Sequence, residues 1–194
     1  MPKPSKHMVI MVGTRSLGDT ADATIWVLRQ IREIFGRTPA DGVIVTRGVP
    51  GPDVMVEVLA RKYRRRWVVF GLDGFRRSSH QPPQRFAESP NSAERDRHLI
   101  HAAQRAKADG WLVEVVGLID GTKERSSEPL STEGLVDRLE RAVGEGASHK
   151  RIYYGPEAHK PKAPPAASAA PAPAPRTPNK APPPRANGAK ARAS

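Results

Sequence analysis

Glycines, hydroxyls and arginines recur at the ends of three apolar runs. Gly13-Thr14-Arg15 closes "MVIMVGTR", Arg47-Gly48-Val49-Pro50-Gly51-Pro52-Asp53 follows "GVIVT", and Asp120-Gly121-Thr122-Lys123 follows "WLVEVVGLI". Glycine lets backbone approach a ligand closely, and the amino end of a following helix presents free amides with positive partial charge. Arginine adds donors for charge-assisted hydrogen bonds to phosphate. A phosphate-bearing ligand is the chemistry that such loops would serve. Gly48 and Gly51 supply G-x-x-G and not the G-x-G-x-x-G of dinucleotide folds. The same stretch also reads as a plain turn, in which Pro52 occupies the first helical turn and Asp53 favours the helix dipole.

These loops act together only if the elements around them bring them to one place. Met8 to Gly13 is a continuous apolar run, the habit of a strand buried on both faces in a parallel sheet. Asp19 to Phe35 then spaces Ile25, Leu28, Ile31, Arg32 and Phe35 near the helical period, with Ala21, Trp26 and Val27 adding apolar surface. Gly42 to Thr46 is a second β-branched run. It leads through the glycine and proline loop into a helix from Asp53 to Arg65, with Val54, Val58, Leu59 and Ala60 expected on its buried side. "RWVVFG", from Arg66 to Gly71, is a third strand. Residues 72 to 92 are polar and long for a connector, which suits either a functional lid or a disordered insert. Ser92 to Ala108 returns to a helix, Trp111 to Ile119 to a strand and Thr132 to Val143 to a helix, and Arg151 to Tyr154 suits a last edge strand.

Strands alternating with helices at this spacing predict an α/β fold, a Rossmann-like three-layer domain with a mostly parallel sheet, over residues 8 to 155. Right-handed crossovers place every strand-to-helix loop on one edge, and ligands of such sheets bind at the carboxyl ends of the strands. Residues 1 to 7 are expected to be a disordered N-terminus.

The chain has 194 residues and a formal net charge of +12. Residues 156 to 194 hold eleven of the twenty prolines and no Leu, Ile, Val or aromatic residue, so this segment cannot bury a core and is expected to be a disordered Lys/Arg/Pro/Ala-rich tail. Its seven basic residues against Glu157 give it +6, half of the charge of the chain. The remainder is therefore basic in its own right, which suits polyanionic partners. There are no cysteines, which excludes disulfides, thiol catalysis and Cys-ligated zinc. No apolar run approaches the roughly 20 residues needed to span a bilayer, and "MPKPSKH" lacks the apolar region of a signal peptide. The expectation is a cytoplasmic protein with no membrane partner.

Three other features invite chemistry. Glu94, His98 and His101 fall at helical spacing and could collect a metal, but no second cluster accompanies them, so a surface helix face is the reading adopted and no metal site or cofactor is assigned. "RKYRRR", from Arg61 to Arg66, reads as cations at a helix carboxyl end or as a phosphate patch. The tail resembles in composition the extensions of linker-histone type proteins. It suits sequence-blind, salt-dependent nucleic-acid binding and a solubilising linker equally.

In order, "MVIMVGTRS", "GVIVTRGVPGPDVMVEVLARKY", "SPNSAERDRHLIHAA" and "WLVEVVGLIDGTKER" resemble the SLOG superfamily of Rossmann-like nucleotide-ligand proteins, nearest to its small stand-alone bacterial and phage members. In that group the first strand ends in Gly-Ser/Thr-Arg, and the second is followed by Gly-Gly-x-x-Gly-x-Asp. The third helix opens with Gly-Pro-x-Arg-Asn-x-x-Met, and a late strand leads into Gly-Thr. The matching positions are Gly13, Thr14 and Arg15; Gly48, Gly51 and Asp53; Arg95; and Gly121 with Thr122. Arg47 stands where the group has the first glycine of its pair, Asp96 replaces Asn, and Ser92-Ala93 replaces Gly-Pro. The related cytokinin-activating phosphoribohydrolases carry Gly-Gly-x-Gly-Thr-x-x-Glu, and here Arg125 falls on the position of that Glu, with Glu124 one residue early.

The resemblance implies a protein that binds, and hydrolyses or senses, a nucleotide or nucleotide-derived ligand. Arg15 and Arg95 would hold phosphate, the Gly48 to Gly51 and Gly121-Thr122 loops would offer amides, and Asp53 would bond ribose or cap its helix. No catalytic residue is assigned. The alternative is a nucleic-acid-associated protein acting through its basic domain and tail.

Overall fold

The computed structural model describes residues 6–86, 91–122, 131–144 and 146–155. The expected tail lies outside these residues, as do Lys123, Glu124 and Arg125 and most of the expected disordered N-terminus.

The buried apolar runs form strands β1 (His7–Gly13), β2 (Val43–Thr46), β3 (Arg66–Phe70) and β6 (Leu112–Asp120) of one sheet. With β4 (Phe75–Ser78), β5 (Gln84–Arg85) and β7 (Ser148–Tyr154), the spatial order is β5-β4-β3-β2-β1-β6-β7. From β3 through β2, β1 and β6 to β7, each strand pairs in parallel with the next. Helices α1 (Ala21–Arg37), α2 (Pro52–Lys62), α3 (Ser92–Ala108) and α4 (Thr132–Val143) supply the crossovers. The fold is therefore α/β with a mostly parallel sheet and the three layers expected of it.

Each sheet face has its own core, because alternate residues of a strand point to opposite sides. Val9, Met11, Ile44, Val116 and Leu118 pack with α1 and α2. Ile10, Val12, Val43, Val45 and Val115 pack with α3 and α4. Polar side chains start three of the helices: Thr20 Oγ1 accepts from the Ala23 amide, Asn91 Oδ1 from Glu94 and Ser131 Oγ from Gly134. Each satisfies an amide that has no partner within its helix.

Four expectations need correction. The ladder begins at His7, one residue before the expected Met8, where His7 pairs with Leu112 across β1 and β6. The last strand starts at Ser148, not Arg151, because it runs beside β6 from Glu114 onward. Part of the polar connector is neither lid nor disordered: Phe75–Ser78 pairs antiparallel with β3, and Gln84–Arg85 pairs antiparallel with Phe75–Ser78 in turn. Residues 87–90 of that connector lie outside the described residues. The helix faces also differ. Ile25 and Val58 are each 57% exposed, and Val54 is exposed as well. Val27, Ile31 and Phe35 in α1 and Leu59 and Ala60 in α2 are buried as expected, and Ala23, Ile34 and Val56 complete the buried stripes. A step of two residues turns a helix by about 200°, so Ile25 and Val54 fall opposite Ala23 and Val56.

Candidate functional site

The strands β1, β2 and β3 are laid down in one direction across the sheet, and the chain then returns through α3 to place β6 on the other side of β1. Crossovers on opposite faces diverge at that point, and in open α/β sheets the ligand crevice lies there, which in this sheet is between the loops following β1 and β6. Those loops carry Thr14 and Arg15 on one side and Gly121 and Thr122 on the other.

Asp120, at the end of β6, organises the crevice. Its Oδ2 accepts from Ser16 Oγ at 2.5 Å, and its Oδ1 accepts from both the Thr122 amide at 3.1 Å and Thr122 Oγ1 at 2.5 Å. Thr14 Oγ1 accepts the Asp120 amide at 3.3 Å, while the Thr14 amide donates to Leu118 O at 2.9 Å. Two hydroxyls thus bond one carboxylate and a third holds the amide of the same residue, and each hydroxyl oxygen retains acceptor capacity. Arg15 opens the 3-10 turn Arg15–Gly18, is exposed, and its side chain forms no hydrogen bond or ion pair with the described residues.

The Arg47 to Asp53 loop has a different environment. Asp53 is 1% exposed and accepts the Gly13 amide at 2.8 Å through Oδ1 and Arg47 Nε at 3.1 Å through Oδ2. Arg47 Nη2 donates to Gly13 O at 3.1 Å and to Thr132 Oγ1 at 3.2 Å. One buried guanidinium therefore ties the end of β1 to the starts of α2 and α4. Such a pair is tolerable in a low-dielectric interior because hydrogen bonds satisfy both partners.

The glycines of this loop are spaced for protein contacts. A Cβ on Gly51, whose φ is +101°, would stand 2.7 Å from Arg15 O, and a Cβ on Gly48, at φ +67°, would stand 2.7 Å from Val69 Cγ1. A Cβ on Gly13 would meet Pro52 at 2.4 Å, and one on Gly121 would meet Tyr154 O at 2.9 Å. Gly121 also donates its amide to that Tyr154 oxygen at 2.8 Å. The loops are packed against one another with glycine as the only residue that fits.

Of the residues singled out in the sequence, Gly13, Thr14, Arg15, Gly51, Asp53, Gly121 and Thr122 are thus brought to one region of the carboxyl edge by direct contacts. Gly48 rests on Val69 of β3. Arg95 lies in the first turn of α3 but is only 3% exposed, and its Nε and Nη2 both donate to Asp96 Oδ1, at 3.0 and 2.8 Å. Asp96 Oδ2 accepts from Arg138 of α4 at 2.9 Å. Arg95 bonds within this triad, of which Arg95 and Asp96 are buried and Arg138 is partly exposed, and not with the β1 or β6 loops.

Sequence reasoning did not anticipate three features. Ser16 follows the Gly-Thr-Arg stretch directly and donates a hydrogen bond to Asp120. Arg47 was legible only as a departure from a glycine, although an arginine ending a buried strand six residues before an acid is a signal for an internal ion pair. Thr46, at the end of β2, is 1% exposed and its Oγ1 has no hydrogen-bond partner among the described residues. Of the His pair in α3, His98 packs on Phe86 with ring centroids 4.8 Å apart, and His101 lies 6.4 Å from His98. Among the described residues no group of three His, Cys, Asp or Glu side chains is arranged to hold a metal, and no helix is long and apolar enough to cross a membrane. No known family model and no curated protein matches the chain.

Proposed function

We propose that the chain binds a nucleotide or nucleotide-derived ligand in the crevice between the loops following β1 and β6. One observation carries this reading: at the topological switch point, where open α/β sheets bind their ligands, an exposed Arg15 with no side-chain partner among the described residues adjoins the hydroxyls of Thr14, Ser16 and Thr122. In this reading Arg15 meets phosphate charge, and Ser16 and Thr122 exchange bonds between Asp120 and the ligand. The resemblance of four segments to the SLOG superfamily points to the same edge and the same ligand class.

The proposal narrows the contact set suggested by that resemblance. Both carboxylate oxygens of Asp53, and Nε and Nη2 of Arg95, are engaged by protein partners, so in this reading the two residues act by positioning the loops and α3. Gly51 and Gly13 act likewise, by allowing the β1 and β2 loops to touch.

Isothermal titration of the full chain with a panel of ribonucleoside mono- and diphosphates tests the proposal. At least one should bind, and Arg15→Ala should weaken it by roughly tenfold or more, the loss of one charge-assisted hydrogen bond. A panel without a binder, or an unchanged affinity in the folded variant, would remove the crevice as a nucleotide site.

A further inference from the structure

A second basic surface lies at the opposite edge of the sheet, where α1 and α2 end. A cleft of about 620 Å³ there is lined by Arg32, Phe35, Tyr63, Arg64 and Arg65. Tyr63 is 45% exposed and stands edge-on to the buried Phe35, with ring centroids 6.4 Å apart. A half-exposed aromatic ring thus sits among arginines, packed on a buried one.

The cations here divide into two groups. Arg61 is committed to Glu57 at 2.5 Å and lies over the Trp67 ring at 4.7 Å. Arg65 donates to the carbonyls of Pro39 and Phe35, so it closes the end of α1. Arg32, Lys62 and Arg64 are exposed and pair with no side chain among the described residues. The last turn of α2 already has Arg61 and Lys62 beside its dipole, so a further cation at Arg64 is not needed to stabilise the helix.

The backbone gives the independent clue. Arg64 has φ +52°, and it is the one non-glycine residue with positive φ among those described. It occupies the position after a helix at which glycine is preferred, with the Arg65 amide returning to Ala60 O at 2.8 Å. A side chain that strains its own backbone is retained where it has another use. Here the use open to it is to extend a guanidinium beside Tyr63 and Arg32.

We infer that the cleft between the ends of α1 and α2 binds single-stranded nucleic acid, with Arg32 and Arg64 on phosphates and a base stacked on Tyr63. Cations that follow a backbone beside an aromatic platform are the physical requirement for holding a single strand without sequence preference. The site is separate from the crevice proposed above and does not depend on it.

The test uses the full chain and a fluorescein-labelled single strand of about twelve nucleotides, in ribose and deoxyribose forms, followed by anisotropy over a range of salt. The double variant Arg32→Ala with Arg64→Gly should bind about tenfold or more weakly, and its log K against log salt slope should flatten by about 1.4, or 0.7 for each phosphate that is no longer neutralised. Arg64→Gly alone should weaken binding while raising the Tm by about 2 °C, because glycine relieves the positive φ. Tyr63→Leu keeps apolar cover on Phe35 but removes the stacking face, so it should weaken the strand by about fivefold or more and leave long-chain inorganic polyphosphate unaffected. Unchanged affinity and slope in the double variant would overturn the proposal and put all binding elsewhere in the chain, residues 156–194 included. Tyr63→Leu without effect on the strand, or with equal effect on strand and polyphosphate, would overturn it as well, by reducing the cleft to a charged surface that recognises no base.

Discussion

The carboxylate of Asp53 accepts the amide of Gly13, forty residues earlier in the chain, at 2.8 Å inside the protein. Through this bond the first turn of α2 holds the end of β1, and the second oxygen of Asp53 holds Arg47 at 3.1 Å. The residue that the resemblance offered as a ribose contact or a helix cap clamps two loops together. Its oxygens are filled by an amide and a guanidinium.

Removing that clamp should be costly. Asp53→Ala leaves the Arg47 guanidinium buried without its counter-charge and the Gly13 amide without an acceptor, and the expected loss is about 3 to 5 kcal/mol in urea unfolding at neutral pH. Arg47→Ala should cost a similar amount, and the double variant should show clear coupling between the two sites. Additive losses would mean that the two side chains do not act as a pair.

Gly51 supplies a second measure of how closely the loops meet. Gly51→Ala and Gly110→Ala both place a side chain at positive φ, but a Cβ on Gly110 meets nothing within 4 Å, whereas one on Gly51 comes 2.7 Å from Arg15 O. Gly110→Ala should therefore cost about 1 kcal/mol and Gly51→Ala about 3 kcal/mol. Equal changes in unfolding free energy would show that the Arg15 backbone yields freely to the added methyl.

The strands were legible because "MVIMV", "VIVT" and "LVEVVGLI" are long enough, and apolar enough on both faces, to admit only a parallel sheet between helices. The carboxyl-edge position of the Gly13, Gly48 and Gly121 loops then followed from right-handed crossovers. What stayed hidden depended on partners distant in sequence. Ile25 and Val58 are as apolar as Ile31 and Val56, so composition alone could not tell the exposed side of a helix from the buried one. The antiparallel β4 and β5 consist of "FRRS" and "QR", polar because they border solvent, and carry no strand signal of their own. Asp53, Arg47 and Arg95 read as ligand contacts or departures from a motif, because a single sequence does not reveal that their charges cancel inside the protein.

Thr46 tests whether an unsatisfied group at this edge has a use. A buried hydroxyl without a partner costs roughly 1 to 3 kcal/mol, and valine has nearly the same shape. Thr46→Val should therefore raise the stability of the unliganded chain by about 1 kcal/mol in thermal and urea unfolding. A loss of stability instead would show that Oγ1 is bonded in solution.

Arg95 separates a phosphate contact from a structural role. An arginine in the first turn of a helix faces the positive end of the dipole, which by itself is slightly unfavourable, so a solvent-facing residue would be removed at no cost to stability. Here the guanidinium is buried, and its Nε and Nη2 both donate to one oxygen of Asp96, a carboxylate with no exposure at all. Arg138 holds the other oxygen from α4 and would remain after the substitution, so Asp96 would keep part of its compensation. Arg95→Ala should accordingly lower unfolding free energy by about 2 kcal/mol, less than the full cost of isolating a buried charge. Arg95→Ala combined with Asp96→Ala should lose less than the sum of the two single changes, because Asp96→Ala alone leaves two cations without their carboxylate and the pair leaves Arg138 only. Nucleotide affinity, measured below the lowered transition, should fall only as far as α3 shifts, and far less than in Arg15→Ala. A folded Arg95→Ala protein as stable as the parent but with nucleotide affinity reduced as much as in Arg15→Ala would assign Arg95 to the ligand after all.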